Sequence, residues 1–307
     1  MDSSFNASEG FPIIGKIIKG VAGSYDVLCD GVLYVCSARG IFRKEGVTPL
    51  PGDNVEFAID EKQERIGSIM RILERESSLS RPPVANVQQL LIVLTLSSPP
   101  PDFILVDKML ISAMINKLAL IICVNKCDMA SHEEFQEEIR GYERAGYRVV
   151  RTTIEDRSGY EALLPELCDR ITIFAGQSGV GKSTILNAII DRDHMEVGSM
   201  SQRIKRGKHT TRHVELVALK CGGYIIDSPG FSTFDFGIED YRTLDRFYPE
   251  FSQYAGGCRF NECSHIHEPD CQVRIALGNG ELHRGRYDRY AELYGQYKEA
   301  YDKKYSR

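Results

Sequence analysis

The chain has 307 residues, 42% of them hydrophobic and 26% charged, which is the composition of a soluble globular protein with room for two or three domains. Its formal net charge of -5 excludes a protein that coats nucleic acid through bulk charge, although an average hides local basic patches. Met1 to Gly10 carries no apolar stretch, and Leu90 to Leu94 and Leu118 to Val124 are too short to span a bilayer, so a cytoplasmic chain without signal peptide or membrane segment is expected.

From residue 11 to about 75 the sequence reads as short β-runs broken by turns. Ile13 to Lys19, Ser24 to Leu28, Val32 to Cys36, Asn54 to Ala58 and Arg65 to Ile72 are the candidate strands, with Pro51-Gly52-Asp53 as a turn before the fourth. Five short strands in so few residues suit a small closed barrel, an OB-fold or an SH3-like barrel. Arg81-Pro82-Pro83 then marks a linker. From Gln89 strands alternate with helices. Leu90 to Leu96 is continuously apolar, as buried parallel strands are. Pro99-Pro100-Pro101-Asp102 leads into a helix to about Asn116, and Leu118 to Val124 is the next strand. A helix around Glu133 to Ala145, a strand from Arg148 to Thr152 and a helix from Tyr160 to Cys168 follow. Ile171 to Ala175 is a strand, Lys182 to Ile190 a helix, and Val214 to Leu219 and Tyr224 to Asp227 are strands joined by a hairpin. The fold class is therefore multidomain α/β, with boundaries at 1–75, 76–236 and 237–307, the last part being helical.

Two motifs stand in an unusual order. Gly176-Gln177-Ser178-Gly179-Val180-Gly181-Lys182-Ser183, with Thr184 behind it, fits a phosphate loop between a strand and a helix. Its glycines let backbone N–H groups wrap phosphates, Lys182 reaches the outer phosphate oxygens, and Ser183 ligates Mg²⁺. Asn125-Lys126-Cys127-Asp128 comes before it, whereas an ordinary GTPase places this loop afterwards. There Asp128 accepts from the guanine N1–H and exocyclic amine, which adenine cannot satisfy. Lys126 stacks along the base, Asn125 ties the two loops together, and Thr153, after Thr152, makes a looser contact with the guanine carbonyl. Asp227-Ser228-Pro229-Gly230 ends a strand, with Asp227 for Mg²⁺ and the Gly230 N–H for the γ-phosphate. Between these lies Arg203 to His213, with five Lys or Arg and no acid. Either of its hydroxyls, Thr210 or Thr211, could close on Mg²⁺ and the γ-phosphate, with Thr211 the first choice. Where most GTPases carry a water-orienting Gln this chain has Phe231, and His209 is the nearest residue of suitable chemistry.

Of nine cysteines, six are scattered and three lie close together. Cys258, Cys263, His265 and Cys271 supply three thiolates and an imidazole, a soft set that suits one structural Zn²⁺, with His267 as the alternative imidazole. A segment rich in Gly, Asn and Pro builds no core without such a staple. Tyr287, Tyr290, Tyr294, Tyr297, Tyr301 and Tyr305 share one helix face. Burial is the preferred reading of that stripe, stacking on RNA bases the other.

In this combination and order the motifs resemble the RsgA/YjeQ family of circularly permuted GTPases, the small-ribosomal-subunit biogenesis GTPases. The residues that carry the resemblance are Asn125 to Asp128, Gly176 to Ser183, Gly207 with His209-Thr210-Thr211, Asp227 to Gly230, and the Cys258, Cys263, His265, Cys271 set behind a barrel containing Pro51-Gly52-Asp53. The resemblance implies an N-terminal OB-fold, a permuted GTPase domain and a C-terminal zinc domain. It also implies hydrolysis of GTP to GDP, stimulated by the small (30S) ribosomal subunit and its rRNA during late maturation, by a protein expected to be a monomer. It strengthens the case for His209, since the family carries an apolar residue at the Phe231 position. Residues 1–75 hold nine Lys/Arg against eleven Asp/Glu, so charge does not announce RNA binding there. Phe42, between Arg39 and Arg43-Lys44, is a candidate stacking contact. The alternatives are a GTP-gated RNA-binding module with little hydrolysis and, from the phosphate loop alone, a kinase, against which Asp128 argues. Because the permutation places the zinc segment directly after the γ-phosphate-sensing strand, reorientation of that segment through residues 231–257 is expected on nucleotide exchange.

Overall fold

The computed structural model describes residues 13–40, 42, 46–60, 62–129, 132–153, 155, 158–195, 214–227 and 240–305. In chain order the strands and helices begin with β1 (Ile13–Val21), β2 (Ser24–Cys29), β3 (Val32–Ala38), β4 (Asn54–Ile59), β5 (Ile66–Ile72), β6 (Ser78–Ser80) and β7 (Pro83–Ala85). There follow β8 (Gln89–Thr95), α1 (Phe103–Ile115), β9 (Ala119–Asn125), α2 (Glu133–Arg144), β10 (Arg148–Arg151), α3 (Ser158–Leu167), β11 (Ile171–Ala175) and α4 (Lys182–Met195). The chain ends with β12 (Glu215–Ala218), β13 (Tyr224–Asp227), two 3-10 turns (Tyr241–Phe247 and Pro249–Phe251), α5 (Ser252–Ala255), α6 (Gln272–Gly278) and α7 (Arg284–Tyr305).

One compact unit comprises Met1–Gln88, Leu167–Ile173 and Ile190–Pro229. Its barrel closes in the order β1-β2-β3-β5-β4-β1, with only the β3–β5 pair parallel. That is the Greek-key closure of an OB-fold, not an SH3-like barrel. The closure follows from period-2 alternation, which turns Ile17, Tyr25, Val27, Val55, Phe57 and Ile69 inward. Each such apolar side chain, fully withdrawn from water, contributes on the order of 1.5–3 kcal/mol. Phe42 is part of this core at 7% exposure, so it is not available to stack on a base. An apolar ring beside basic residues gains more from the barrel interior than from solvent.

Asp53 of the Pro51-Gly52-Asp53 turn is completely buried, accepting from the Leu50 amide at 2.7 Å and from Arg75 Nε at 2.7 Å. The Arg81-Pro82-Pro83 linker is instead the turn of a small hairpin, since β6 and β7 pair antiparallel across it. In the same unit β12 runs antiparallel to β13, as their hairpin signal requires, and β13 is parallel to β11. Strand β12 also pairs with β1 at Lys19 and Glu215, whose side chains lie 2.9 Å apart.

The second unit comprises Gln89–Glu166, Phe174–Ile189 and Gly230–Arg307. Its strands β8, β9 and β10 are parallel neighbours, and every residue of β8 is buried. Asp102 caps α1 by accepting from the Leu105 amide at 2.9 Å. The segment after residue 240 packs its own core, Leu244, Tyr248, Phe251, Val273, Leu282, Tyr287, Tyr290 and Leu293, against Ile111 of α1. Residues 240–257 thus place three large apolar side chains, Leu244, Tyr248 and Phe251, in this core. Among the described residues no helix is long and apolar enough to cross a membrane.

Candidate nucleotide site and metal centre

The phosphate loop joins β11 to α4. Gly176 has φ +137, and a Cβ there would lie 2.0 Å from the Val93 carbonyl oxygen. Gly181 has φ +97, and its Cβ would meet Asn125 Nδ2 at 2.3 Å. Neither position tolerates a side chain, which is why the loop's outer glycines are needed. Lys182 Nζ donates to the carbonyls of Gly176 and Gln177, both at 2.7 Å. Its ammonium thus sits inside the loop at the α4 N-terminus, while Ser183 and Thr184 are exposed on the first turn. Ser178 and Gly179 are exposed and Val180 buried, so the loop presents backbone outward over an apolar anchor.

The loop ending β9 lies against it. Asn125 Nδ2 donates to the Val180 carbonyl at 2.9 Å, the tie expected between the two motifs. Lys126, at φ +61, donates through Nζ to Ser98 O at 2.7 Å and Gly179 O at 2.9 Å. Asp128 is exposed, and its Oδ1 accepts from the Thr153 hydroxyl. Thr153 therefore acts here through its side chain, on Asp128, and not through a backbone contact alone. Thr152 is buried and donates to Asn125 Oδ1 at 2.9 Å, which fixes the Asn amide with its NH₂ toward Val180. That second threonine was legible only as half of a weak Thr-Thr match. Asp227 ends β13 in the other unit, and His209, Thr211 and Gly230 lie outside the described residues.

In the C-terminal segment one ligand atom each of Cys258, Cys263, His265 and Cys271 lies within 4.8 Å of all the others. His265 turns Nδ1 inward, 3.6 Å from Cys258 Sγ and 3.4 Å from Cys271 Sγ, and sends Nε2 toward Asp245, 3.9 Å away. A carboxylate on the far side of an inward-turned imidazole is the arrangement found around bound metals. Burial works to raise the Cys258 pKa, yet the Gln272 and Val273 amides and His265 outweigh it and leave the thiol lowered, toward the thiolate a metal requires. Three thiols and an imidazole converging at this spacing fit a tetrahedral Zn²⁺. His267 is exposed and takes no part in the cluster.

Several residues that organise this centre carry no motif. Glu268 accepts from the Ser264 hydroxyl at 2.6 Å and from the Ser264, Ile266 and His267 amides at 2.9, 3.2 and 3.2 Å. Its burial opposes the charge, but these donors hold its carboxyl down to about 2. Tyr287 donates to the His265 carbonyl and Tyr290 to the Ser264 carbonyl, each at 2.7 Å. The first part of the tyrosine stripe is thus buried, as preferred from the sequence, while Tyr305 at its far end is 58% exposed.

Beside that stripe α7 presents two buried arginines to α1. Arg286 Nη1 lies 2.5 Å from Asp107 Oδ1 and Arg289 Nε 2.7 Å from Asp107 Oδ2, and Asp107 is fully buried. Tyr142 of α2 donates to Asp107 at 2.6 Å, and Glu250 accepts from Arg286 Nε at 2.7 Å. The Arg286 guanidinium also lies over the Tyr248 and Tyr142 rings, 4.5 and 4.9 Å from their centroids. Burial favours neutral Arg286, but Asp107 and Glu250 keep it charged.

Comparison with known proteins gives this geometry its context. Residues 72–237 match the RsgA GTPase family model and residues 14–69 the RsgA N-terminal domain model. A protein of Ruminiclostridium cellulolyticum, named small ribosomal subunit biogenesis GTPase RsgA, is 48% identical over 284 residues, 92% of each chain. A protein of the same name from Agathobacter rectalis is 42% identical, covering 92% of this chain and 98% of its own. Among solved structures, the circularly permuted GTPase YloQ superposes with a TM-score of 0.77 at 34% identity, over 96% of this chain and 98% of its own. YjeQ from Thermotoga maritima gives 0.77 at 30% identity, over 93% and 98%. With the guanine loop preceding the phosphate loop on this fold, and relatives matching along nearly the whole length, the chain belongs to the RsgA family of circularly permuted GTPases.

Proposed function

We propose that this GTPase acts in late maturation of the small (30S) ribosomal subunit, binds its rRNA, and is stimulated by the subunit. The name of these relatives supports the partner, since the similarity extends over 92% of this chain. The observation that carries the nucleotide reading is the bond from Asn125 to the Val180 carbonyl. It joins a base-reading loop to a phosphate-holding loop inside one compact unit.

In this reading Asp128, steadied by Thr153, accepts from the guanine edge, and Lys126 covers the base. The amides from Gly176 to Thr184 and the Lys182 ammonium hold the phosphates. Ser183, Asp227 and Thr211 would hold Mg²⁺, which would supply positive charge to the phosphates. The Gly230 amide senses the γ-phosphate. Since Phe231 cannot orient water, His209 takes that role. One Zn²⁺ held by Cys258, Cys263, His265 and Cys271 stabilises the C-terminal segment, in a cytoplasmic monomer.

The test is GTP turnover by the full chain with and without purified small subunits. Acceleration is expected, and His209→Ala is expected to lower the stimulated rate about 10²-fold. No acceleration would overturn the proposal and leave a GTP-gated RNA-binding module.

A further inference from the structure

We propose that Asp107 is a positioning residue that couples the zinc loop to the phosphate loop, so that nucleotide bound at one slows the loss of metal from the other. The proposal rests on the nucleotide and zinc assignments above and adds an energetic link between them.

The contacts form a continuous series within one compact unit. The metal ligands fix the loop from Cys258 to Cys271, whose Ser264 and His265 carbonyls accept from Tyr290 and Tyr287, each at 2.7 Å. Those tyrosines stand on α7, one edge of a buried face whose other edge carries Arg286 and Arg289. Helical spacing makes this division, since Arg286 and Arg289 are one turn apart, as are Tyr287 and Tyr290. Both arginines converge on Asp107, at 2.5 and 2.7 Å, and Asp107 has no exposure to water. It sits on α1, whose entry is held to the phosphate loop by the Asp102 amide donating to Gln177 Oε1 at 3.3 Å. Two packed helices and one buried carboxylate thus connect the loop that takes the phosphates with the loop that takes the metal.

From the metal loop to Asp107 the side-chain links are hydrogen bonds and ion pairs between interior or half-buried groups, while the Asp102–Gln177 bond lies at the surface, and a displaced Asp107 would leave two guanidinium groups without their shared counter-charge. The cluster is therefore stiff, and ordering of Gln177 by a bound nucleotide is transmitted instead of absorbed. Linkage makes the effect reciprocal: whatever nucleotide does to metal retention, the metal does to nucleotide affinity. The route runs through α1 and α7, and Leu244, Tyr248 and Phe251 are packed into the same core.

The experiment first measures zinc content and GDP affinity of the full chain. Absence of either sinks the underlying assignments and not the coupling. Zinc release to a chromogenic chelator is then timed without nucleotide, with GDP, and with a non-hydrolysable GTP analogue. Nucleotide is expected to slow release about fivefold or more. Asp107→Asn, which keeps the shape but removes the charge, is expected to release zinc at rates that no longer depend on nucleotide. A merely structural role would speed release equally in all conditions and leave the ratio intact. Tyr287→Phe/Tyr290→Phe cuts the series at its other end, at little risk to folding, and is expected to flatten the same ratio. Identical release with and without nucleotide in the unaltered chain would overturn the proposal. So would a full nucleotide effect surviving in the double tyrosine variant.

Discussion

Around the phosphate loop, side chains bond to backbone: Lys182 to Gly176 and Gln177, Asn125 to Val180, Lys126 to Ser98 and Gly179. Where α7 docks on α1, side chains bond to one another, with Asp107 shared by Arg286, Arg289 and Tyr142. The first arrangement keeps the cationic groups near the surface and spends its constraint on backbone shape. The second withdraws four ionisable or polar groups from water and depends on their mutual pairing. A site that must receive and release a charged ligand is suited to the former, and a joint that must not open is suited to the latter.

The largest expected effect breaks the joint. Asp107→Ala removes the carboxylate shared by two buried guanidinium groups, leaving Arg286 with Glu250 and Arg289 with Glu138 as counter-charges, and should destabilise the protein by up to about 3–5 kcal/mol, read from urea unfolding. A loss below 1 kcal/mol would mean that water or neighbouring acids replace the carboxylate, and the contrast between the regions would fail. Next comes the loop. Gly181→Ala imposes strain at φ +97 and pushes on Asn125 Nδ2, and should weaken GDP binding and lower stability to urea, by about 1–3 kcal/mol in the folded state. Gly179→Ala, at φ +83 but with no atom nearer than 3.7 Å, isolates the backbone part of that cost. If both variants bind GDP equally well, the Asn125 contact is not what requires Gly181.

The same contrast explains what the sequence discloses. The nucleotide loops were legible because backbone recognition needs consecutive residues of fixed type, and Gly176 to Ser183 is one such run. The barrel was legible through its period-2 alternation, and the clustering of Cys258, Cys263, His265 and Cys271 through their spacing. Asp107 was not, because its meaning depends on Arg286, 179 positions away, and a lone acid in an apolar helix has no local signature. Phe42 misled for a related reason: its basic neighbours in sequence say nothing of the barrel interior into which its ring turns. Tyr287 and Tyr290 were placed correctly as buried, but the carbonyls that receive their hydroxyls were not foreseeable.

A pH experiment sharpens the comparison at the metal loop. Because Glu268 is held down to about 2, it is depressed below its unfolded value near 4.3. Its stabilising contribution is therefore fully present above about pH 4.3 and is lost as pH falls through the folded value. Discounted for partial solvation, that contribution is on the order of 1–2 kcal/mol. Glu268→Gln should lower the unfolding temperature at pH 6, and the gap to the unaltered protein should narrow progressively toward pH 3. A gap that stays constant with pH would show that Glu268 acts through shape and not through charge.

The smallest effect concerns a place where the nucleotide region uses a buried side-chain pair of its own. Thr152 donates to Asn125 Oδ1, so the Asn amide can only offer Nδ2 to Val180. Thr152→Val keeps the volume and β-branching but removes the donor, at a cost of about 1 kcal/mol typical of one hydrogen bond. If Asn125 is held mainly by the Val180 carbonyl, GDP affinity should fall only severalfold and global stability should barely move. If it is held by Thr152, the amide loses its bias, the two loops uncouple, and the loss should approach that of Asn125→Ala. Measuring GDP affinity for both variants beside each other decides whether the guanine loop is positioned by backbone, like the rest of its region, or by a buried side-chain pair of the kind that fastens α7.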